Sequence, residues 1–139
     1  MTDVLTAGTR LPDLALPPIG RSTLALFAGA SGDHVPLHID LDAARAAGHP
    51  DVFAHGMLSM AYLGRLLTGW VPQDRIRSFS GRFTAITPLG ATPTCSGTVV
   101  AVEGGVARIE LTVSLPDGTA TLTGEATVSL ATHQNREDT

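Results

Sequence analysis

The chain has 139 residues, 43% hydrophobic and 16% charged, with a formal net charge of −4, which describes one fairly apolar globular domain and not two. All nine basic residues are Arg, so a Schiff-base lysine and a lysine-bearing phosphate loop are excluded. The acidic balance and the presence of only four Phe, one Tyr and one Trp argue against nucleic acid as a partner.

In chain order, Met1-Thr2-Asp3-Val4 shows no basic region followed by a long apolar run, so no secretory signal is expected and a cytoplasmic location is the default. Leu14 to Leu16, ahead of Pro17-Pro18, reads as a short opening strand, and Ser22 or Thr23 is placed to cap a helix through Leu24, Leu26, Phe27 and Ala28. That helix delivers a loop punctuated by Gly32 and Pro36, whose backbone is expected to be neither helix nor strand. Asp40 to Ala47 reads as a short helix, with Asp40 or Asp42 near its N-terminus and Gly48 as its stop.

Met57, Met60, Ala61, Gly64 and Leu67 then recur at helical spacing, while Leu58, Tyr62, Leu63 and Leu66 fill most of the remaining circumference. A helix apolar almost all round must be surrounded. The apolar stretch from Ala54 to Val71 approaches membrane-span length, but His55, Ser59, Arg65 and Thr68 interrupt it, so a buried helix and no membrane are expected.

The second half alternates with period two. Strands are expected near Ile76 to Ile86 and Thr92 to Val102, separated by Pro88-Leu89-Gly90, and Glu103-Gly104-Gly105 turns the chain into a third strand. There Ala107, Ile109, Leu111, Val113 and Leu115 face one way and Arg108, Glu110, Thr112 and Ser114 the other. After a hairpin turn at Asp117-Gly118, Ala120, Leu122, Gly124, Ala126, Val128 and Leu130 alternate with Thr119, Thr121, Thr123, Glu125, Thr127 and Ser129. Residues 131–139 are expected to fray. The single Cys95, in the second of these strands, cannot form an intrachain disulfide; it predicts a reducing compartment and a role as buried filler. One long buried helix followed by four antiparallel strands makes residues 1–139 a single α+β domain whose sheet curls around the helix.

Asp33 and His38 place a carboxylate and an imidazole five residues apart on the Gly/Pro turn, a pair that can converge across a bend and activate a water. Taken singly, Asp33 also reads as a turn or capping residue and His38 as hydrogen-bonded packing; the joint spacing is what points to chemistry. Gly56 opens the central helix, where free backbone N–H groups are preorganised for negative charge, though it also reads as a simple helix-entry glycine and His55 as a capping or packing residue. No metal is expected: His34 and His38 are four apart, but Pro36 keeps their loop from being helical and spacing places no third ligand. Asp40 and Asp42 are better explained by capping than as a paired carboxylate site.

Phe27, Gly32, Asp33, Pro36, Leu37, His38 and Ala44 match, as they stand, a signature built from an aromatic, small residues, Gly-Asp-x-Asn-Pro-aliphatic-His and a further small residue. Phe53-Ala54-His55-Gly56-Met57-Leu58 matches a second, the His-Gly-Met/Leu start of a central helix. On these motifs the chain resembles the MaoC-like hydratases, the (R)-specific enoyl-thioester hydratases and 3-hydroxyacyl dehydratases. The resemblance implies a hot-dog fold and a reversible hydration of trans-2-enoyl thioesters of coenzyme A or acyl carrier protein, with no cofactor. It implies Asp33 and His38 as the acid/base pair on one water, the Gly56 amide as the group polarising the carbonyl, and His55 behind them. Val35 stands where the family's Asn is expected to brace the loop. That departure keeps open a non-catalytic or acyl-binding subunit of a heteromeric hydratase; a hot-dog thioesterase, which generally lacks such a loop, ranks lower. The resemblance also implies two hot-dogs paired edge to edge, as a homodimer or with a heteromeric partner. Arg75, Arg77 and Arg82 could meet coenzyme A phosphates or an acidic carrier protein, or form a solvated strand face.

Overall fold

The structure, a computed structural model, describes residues 5–130; the tail expected to fray, 131–139, lies outside the described residues. Three helices, α1 (Arg21–Ser31), α2 (Leu41–Ala46) and α3 (Gly56–Thr68), accompany five strands, β1 (Leu14–Ala15), β2 (Ile76–Phe83), β3 (Thr94–Glu103), β4 (Val106–Ser114) and β5 (Ala120–Ser129). The strands form one antiparallel sheet in the order β1-β3-β4-β5-β2. Period-two alternation turns Cys95 and Val99 of β3, Ala107, Ile109, Leu111 and Val113 of β4, and Leu122, Ala126 and Val128 of β5 onto one face. There they bury Leu63, Leu66 and Leu67 of α3. A fully buried Leu contributes about 1.5–3 kcal/mol, so this face is what pins α3 against β2, β3, β4 and β5. A helix held in a curled antiparallel sheet is the hot-dog arrangement. A second cluster, Ile19, Leu24, Ala44, Val52, Ala54 and Leu58, holds α1, α2 and the entrance of α3 together, and Tyr62 packs against both clusters.

Cys95 is fully buried in this core, and burial pushes its thiol up to about 12. Asp40 caps α2 as expected, its carboxylate accepting from the amides of Asp42 at 2.9 Å and Ala43 at 3.3 Å. Helix α1 departs from expectation. Its N-cap is Gly20, with no side-chain cap, and Ser22 and Thr23 lie inside the first turn. The cause is upstream: Ile19 is 1% exposed and its backbone is bonded to Ala91 and Gly90, so the chain enters the helix directly from that anchor. Strand β2 ends at Phe83, not near Ile86, because Thr84 and Ala85 turn back to donate to the Thr121 carbonyl. Thr121, expected on the polar face of β5, is consequently buried, with its hydroxyl donating to the Val113 carbonyl at 3.4 Å. Ser129, on that same expected face, is buried too.

The largest departure concerns α3. Leu58, Ser59, Leu63, Leu66 and Leu67 are buried, but Met57 is 57% exposed and Ala61 lies open, so one face of this apolar helix is not surrounded within the chain. The sheet is open on the same side. The outer edge of β3 is covered by residues 8–15, through bonds such as Gly8 N–H to the Val99 carbonyl and Leu11 N–H to the Gly97 carbonyl, whereas β2 pairs only with β5 among the described residues.

Candidate active site

The site is assembled from the end of α1, the loop behind it and the entrance of α3. Helix α1 stops because Gly32 adopts the left-handed conformation, φ 76°, with its N–H donating to the Ala28 carbonyl. Asp33 follows at once. Its carboxylate accepts the Val35 N–H at 3.2 Å, a local turn that leaves its other oxygen free. The next three residues, Pro36–His38, form one turn of 3-10 helix with Pro36 at its start, so the loop is more regular than the sequence reading allowed. The tight turn swings His38 back toward Asp33.

His38 donates from Nδ1 to the Phe53 carbonyl at 2.8 Å, because a carbonyl can only accept. That bond assigns the tautomer and leaves Nε2 as the ring's acceptor, the form a general base needs. The Phe53 N–H donates in return to the Leu37 carbonyl at 3.4 Å. His55 completes the clamp: its Nε2 donates to the backbone carbonyl of Asp33 at 3.0 Å while its ring stacks on that of His38, centroids 4.0 Å apart and planes 23° from parallel. The Phe27 ring meets His55 edge-on at 4.8 Å. His55 occupies the N-cap position of α3, but its side chain makes no capping bond; at 1% exposed it is the buried packing residue that the alternative reading offers. Arg21 anchors the segment leading to it, pairing with Asp51 at 2.6 and 3.0 Å and holding that carboxyl below its ordinary range.

The brace expected from a side chain at position 35 is supplied otherwise. Val35 is 46% exposed and serves the site through its N–H, while His55 and the Phe53 backbone fix the two ends of the loop.

Polar side-chain atoms of Asp33, His38 and His55 lie within 4.8 Å of one another. One water bonded at about 2.8 Å to two atoms so placed bends by about 118° or less, close to its tetrahedral preference. Spacing places no third ligand beside His34 and His38; the structure groups His38 instead with Asp33 and His55, while His34 stays exposed and bonded to the Gly32 carbonyl. The group is poorly shaped for a cation. His38 Nδ1 and His55 Nε2 are both committed to backbone carbonyls, and the nearly parallel rings do not aim their remaining in-plane lone pairs at one point.

Two spaces meet at the pair. His38 borders a cavity of about 280 Å³ lined also by Gly56, Ser59, Phe83, Thr87 and Thr121. Asp33 borders a larger groove of about 580 Å³ walled by Phe27, Met57, Met60, Ala61, Gly64 and Phe79. Gly56 and Met57, consecutive at the entrance of α3, separate the two. A Cβ on Gly56 would lie 3.0 Å from the Phe83 ring, so glycine here keeps the approach to the first backbone amides of α3 open. Ser59, Thr87 and Thr121 escaped the sequence reading. Ser59 sits one turn after Gly56, a signal the helical spacing held, but Thr87 and Thr121 meet the site only through the fold-back after β2. Arg77 and Arg82 are exposed on β2, and Arg82 shares the sheet's outer surface with Glu110 and Glu125, which fits the solvated strand face.

A protein-family model described as MaoC like domain matches residues 8–119. The chain belongs to the MaoC-like domain family. Similar proteins include a UPF0336 protein of Clavibacter michiganensis, 34% identical over 122 residues that cover 80% of this chain and 82% of the relative. The 3-hydroxyacyl-thioester dehydratase Z of Mycobacterium tuberculosis is 29% identical over 121 residues, 78% of this chain and 76% of the relative. Among solved structures, the (R)-hydratase from A. caviae involved in PHA biosynthesis matches this MaoC-like domain with a TM-score of 0.82 at 27% identity, covering 91% of this chain and 98% of that one. A chain of the ChsH1-ChsH2 complex from Mycobacterium tuberculosis matches with a TM-score of 0.81 at 26% identity, covering 94% and 100%. The family is thus one of hydratases and dehydratases. No helix among the described residues is long and apolar enough to cross a membrane.

Proposed function

We propose that this MaoC-like domain is a hydro-lyase that reversibly and (R)-specifically hydrates trans-2-enoyl thioesters of coenzyme A or acyl carrier protein to 3-hydroxyacyl thioesters. The observation that carries the reading is the tautomer of His38 beside a carboxylate: Nδ1 is spent on the Phe53 carbonyl, which leaves Nε2 as the ring's proton acceptor, and Asp33 and His38 offer polar atoms within 4.8 Å of each other, a span one water can bridge. As the water oxygen attacks C3, one member of the pair takes its proton and the other delivers a proton to C2. A positioned acid/base pair supplies about 10² to 10⁴ in rate, so the charge reaching the thioester oxygen needs its own stabilisation. The free Gly56 N–H at the start of α3 is aimed for that role. The double bond lies where the two spaces meet, the thioester in the His38 cavity and the acyl tail in the apolar groove beyond Asp33.

The assembly follows from the two open surfaces. Strand β2 offers an unpaired edge, and Val35, Ile39, Met57, Phe83 and Ile86, each between 46% and 57% exposed, place apolar surface beside the site. A second hot-dog, most simply another copy of this chain, covers both. The structurally similar chain of the ChsH1-ChsH2 complex is part of a heteromer by its name, so the second reading is a subunit that completes another chain's site. Purified protein mixed with crotonyl-CoA separates the possibilities. Loss of enoyl absorbance supports hydration, thiol release indicates a thioesterase, and silence from the folded chain favours the subunit reading. Light scattering at micromolar concentration should report a two-hot-dog unit, and a stable, active monomer would refute the shared assembly.

A further inference from the structure

Only two buried side-chain polar atoms among the described residues lack a hydrogen-bond partner, His55 Nδ1 and Ser59 Oγ. The His55 ring already has a role without that nitrogen: its Nε2 donates to the Asp33 carbonyl and it stacks on His38. Ser59 has no such explanation. It is 2% exposed, on the buried face of α3 next to Leu58 and one turn before Leu63, where an apolar side chain would pack without penalty. A helical serine normally satisfies itself by bonding to the carbonyl four residues back, and this hydroxyl does not. A buried polar group left unpaired in a native fold calls for a partner that arrives from outside.

The place of that partner is narrow. Ser59 lines the 280 Å³ cavity together with His38 and Gly56. It lies three residues after Gly56, on the same helix face, and a helical side chain leans back over the turn that precedes its own Cα. The hydroxyl is therefore directed over the turn that Gly56 begins, where the first amides of α3 have no intrahelical acceptor. Two other buried hydroxyl residues line this cavity: Thr121 already donates to the Val113 carbonyl at 3.4 Å, and Thr87 lies on the fold-back after β2, off the helix that carries Gly56.

We propose that Ser59 is a second donor of the oxyanion site, its O–H and the Gly56 N–H holding the thioester oxygen of the substrate between them. The inference rests on the hydro-lyase reading above. As the C3–O bond forms, the π pair of C2=C3 moves toward the thioester oxygen as enolate charge. When C2 takes its proton the pair returns and the carbonyl is restored. Ser59 keeps its own proton throughout; it only shortens and strengthens a hydrogen bond as charge arrives, so its contribution falls on turnover more than on binding.

The test uses the full chain and crotonyl-CoA. Ser59→Ala, a substitution that favours the helix and removes the unpaired group, should fold as stably as the parent in a thermal melt yet lower kcat by about 100- to 1,000-fold with KM within about threefold. Ser59→Thr, which keeps the hydroxyl, should recover most of the rate. A second readout needs no turnover. Hexadienoyl-CoA bound to the Asp33→Asn variant should show a red-shifted absorption from carbonyl polarisation, and adding Ser59→Ala should shrink that shift. An unchanged kcat and an unchanged shift in Ser59→Ala, in a chain that Asp33→Asn inactivates, would overturn the inference while leaving the hydro-lyase reading standing. A parent chain that neither hydrates crotonyl-CoA nor polarises the bound dienoyl probe would remove both.

Discussion

Replacing Asp33 with Asn isolates the proposed acid/base role from every other service that residue performs. Asn has the same shape, and its side-chain oxygen can still accept the Val35 N–H now bonded to the carboxylate at 3.2 Å, so the local turn survives. The backbone carbonyl of Asp33, which anchors His55 at 3.0 Å, is untouched. Asp33 is only partly buried and makes no ion pair among the described residues, so stability should change by less than about 1 kcal/mol. What is lost is the ability to take a proton. An acid/base partner is worth about 10² to 10⁴ in rate, which is about 2.7 to 5.4 kcal/mol of barrier at 1.36 per factor of ten. The Gly56 amide and the substrate spaces remain, so a residual rate above background is expected. Hydration of crotonyl-CoA, followed as loss of enoyl absorbance beside a thermal melt, measures both quantities. An Asn variant that melts like the parent and turns over within about fivefold of it would refute the assignment of Asp33 as a proton carrier.

His38→Ala should lower turnover by at least about a hundredfold while the fold persists; near-normal turnover would remove the dyad. Val35→Asn should leave activity equal or higher, since the loop is already held through the Val35 N–H and by His55, and a collapse in crotonyl-CoA hydration would show that the Val35 side chain shapes the site. Burial raises the Cys95 thiol from its ordinary 9.0 to about 12, so its buried protonated form costs nothing below pH 9. Between pH 9 and 12 the unfolded chain releases that proton and the folded chain does not, so stability falls as pH rises. Cys95→Ala should flatten this alkaline fall in denaturant midpoints, and an unchanged slope would contradict it.

The sheet was legible in the sequence because period-two alternation and glycine turns are local signals, and β3, β4 and β5 lie within a few residues of the expected bounds. The errors fall where a distant residue decides. Gly20 replaces Ser22 or Thr23 as the cap because Ile19 is anchored to Ala91 and Gly90, seventy residues on. Thr121 is buried because Thr84 folds back over β5. The apolar circumference of α3 was read correctly as composition but overread as enclosure. Periodicity tells that a face wants covering, and at Met57 and Ala61 that face stays exposed, flanked but not covered by Phe27 of α1 and Phe79 of β2.

For the site, the motif residues came together as the spacing implied, yet the reason they hold their geometry was not in the motif. Asp33 and His38 are close in sequence, and their turn alone would leave both mobile. Their rigidity comes from Phe53 and His55, residues whose contribution is made through a carbonyl oxygen and a stacked ring and so leaves little trace in residue type. This also explains how the chain tolerates Val35. A side chain at position 35 can reach the loop only from within it, whereas His55 reaches the carbonyl of Asp33 and the ring of His38 from the adjoining helix entrance. The same helix entrance carries Gly56, so one short segment sets the orientation of the proposed acid/base pair and the position of the amide proposed to face the substrate. A shift of that segment would misplace both groups together, which is why the pairing of Arg21 with Asp51, remote from the chemistry, belongs to the architecture of the site.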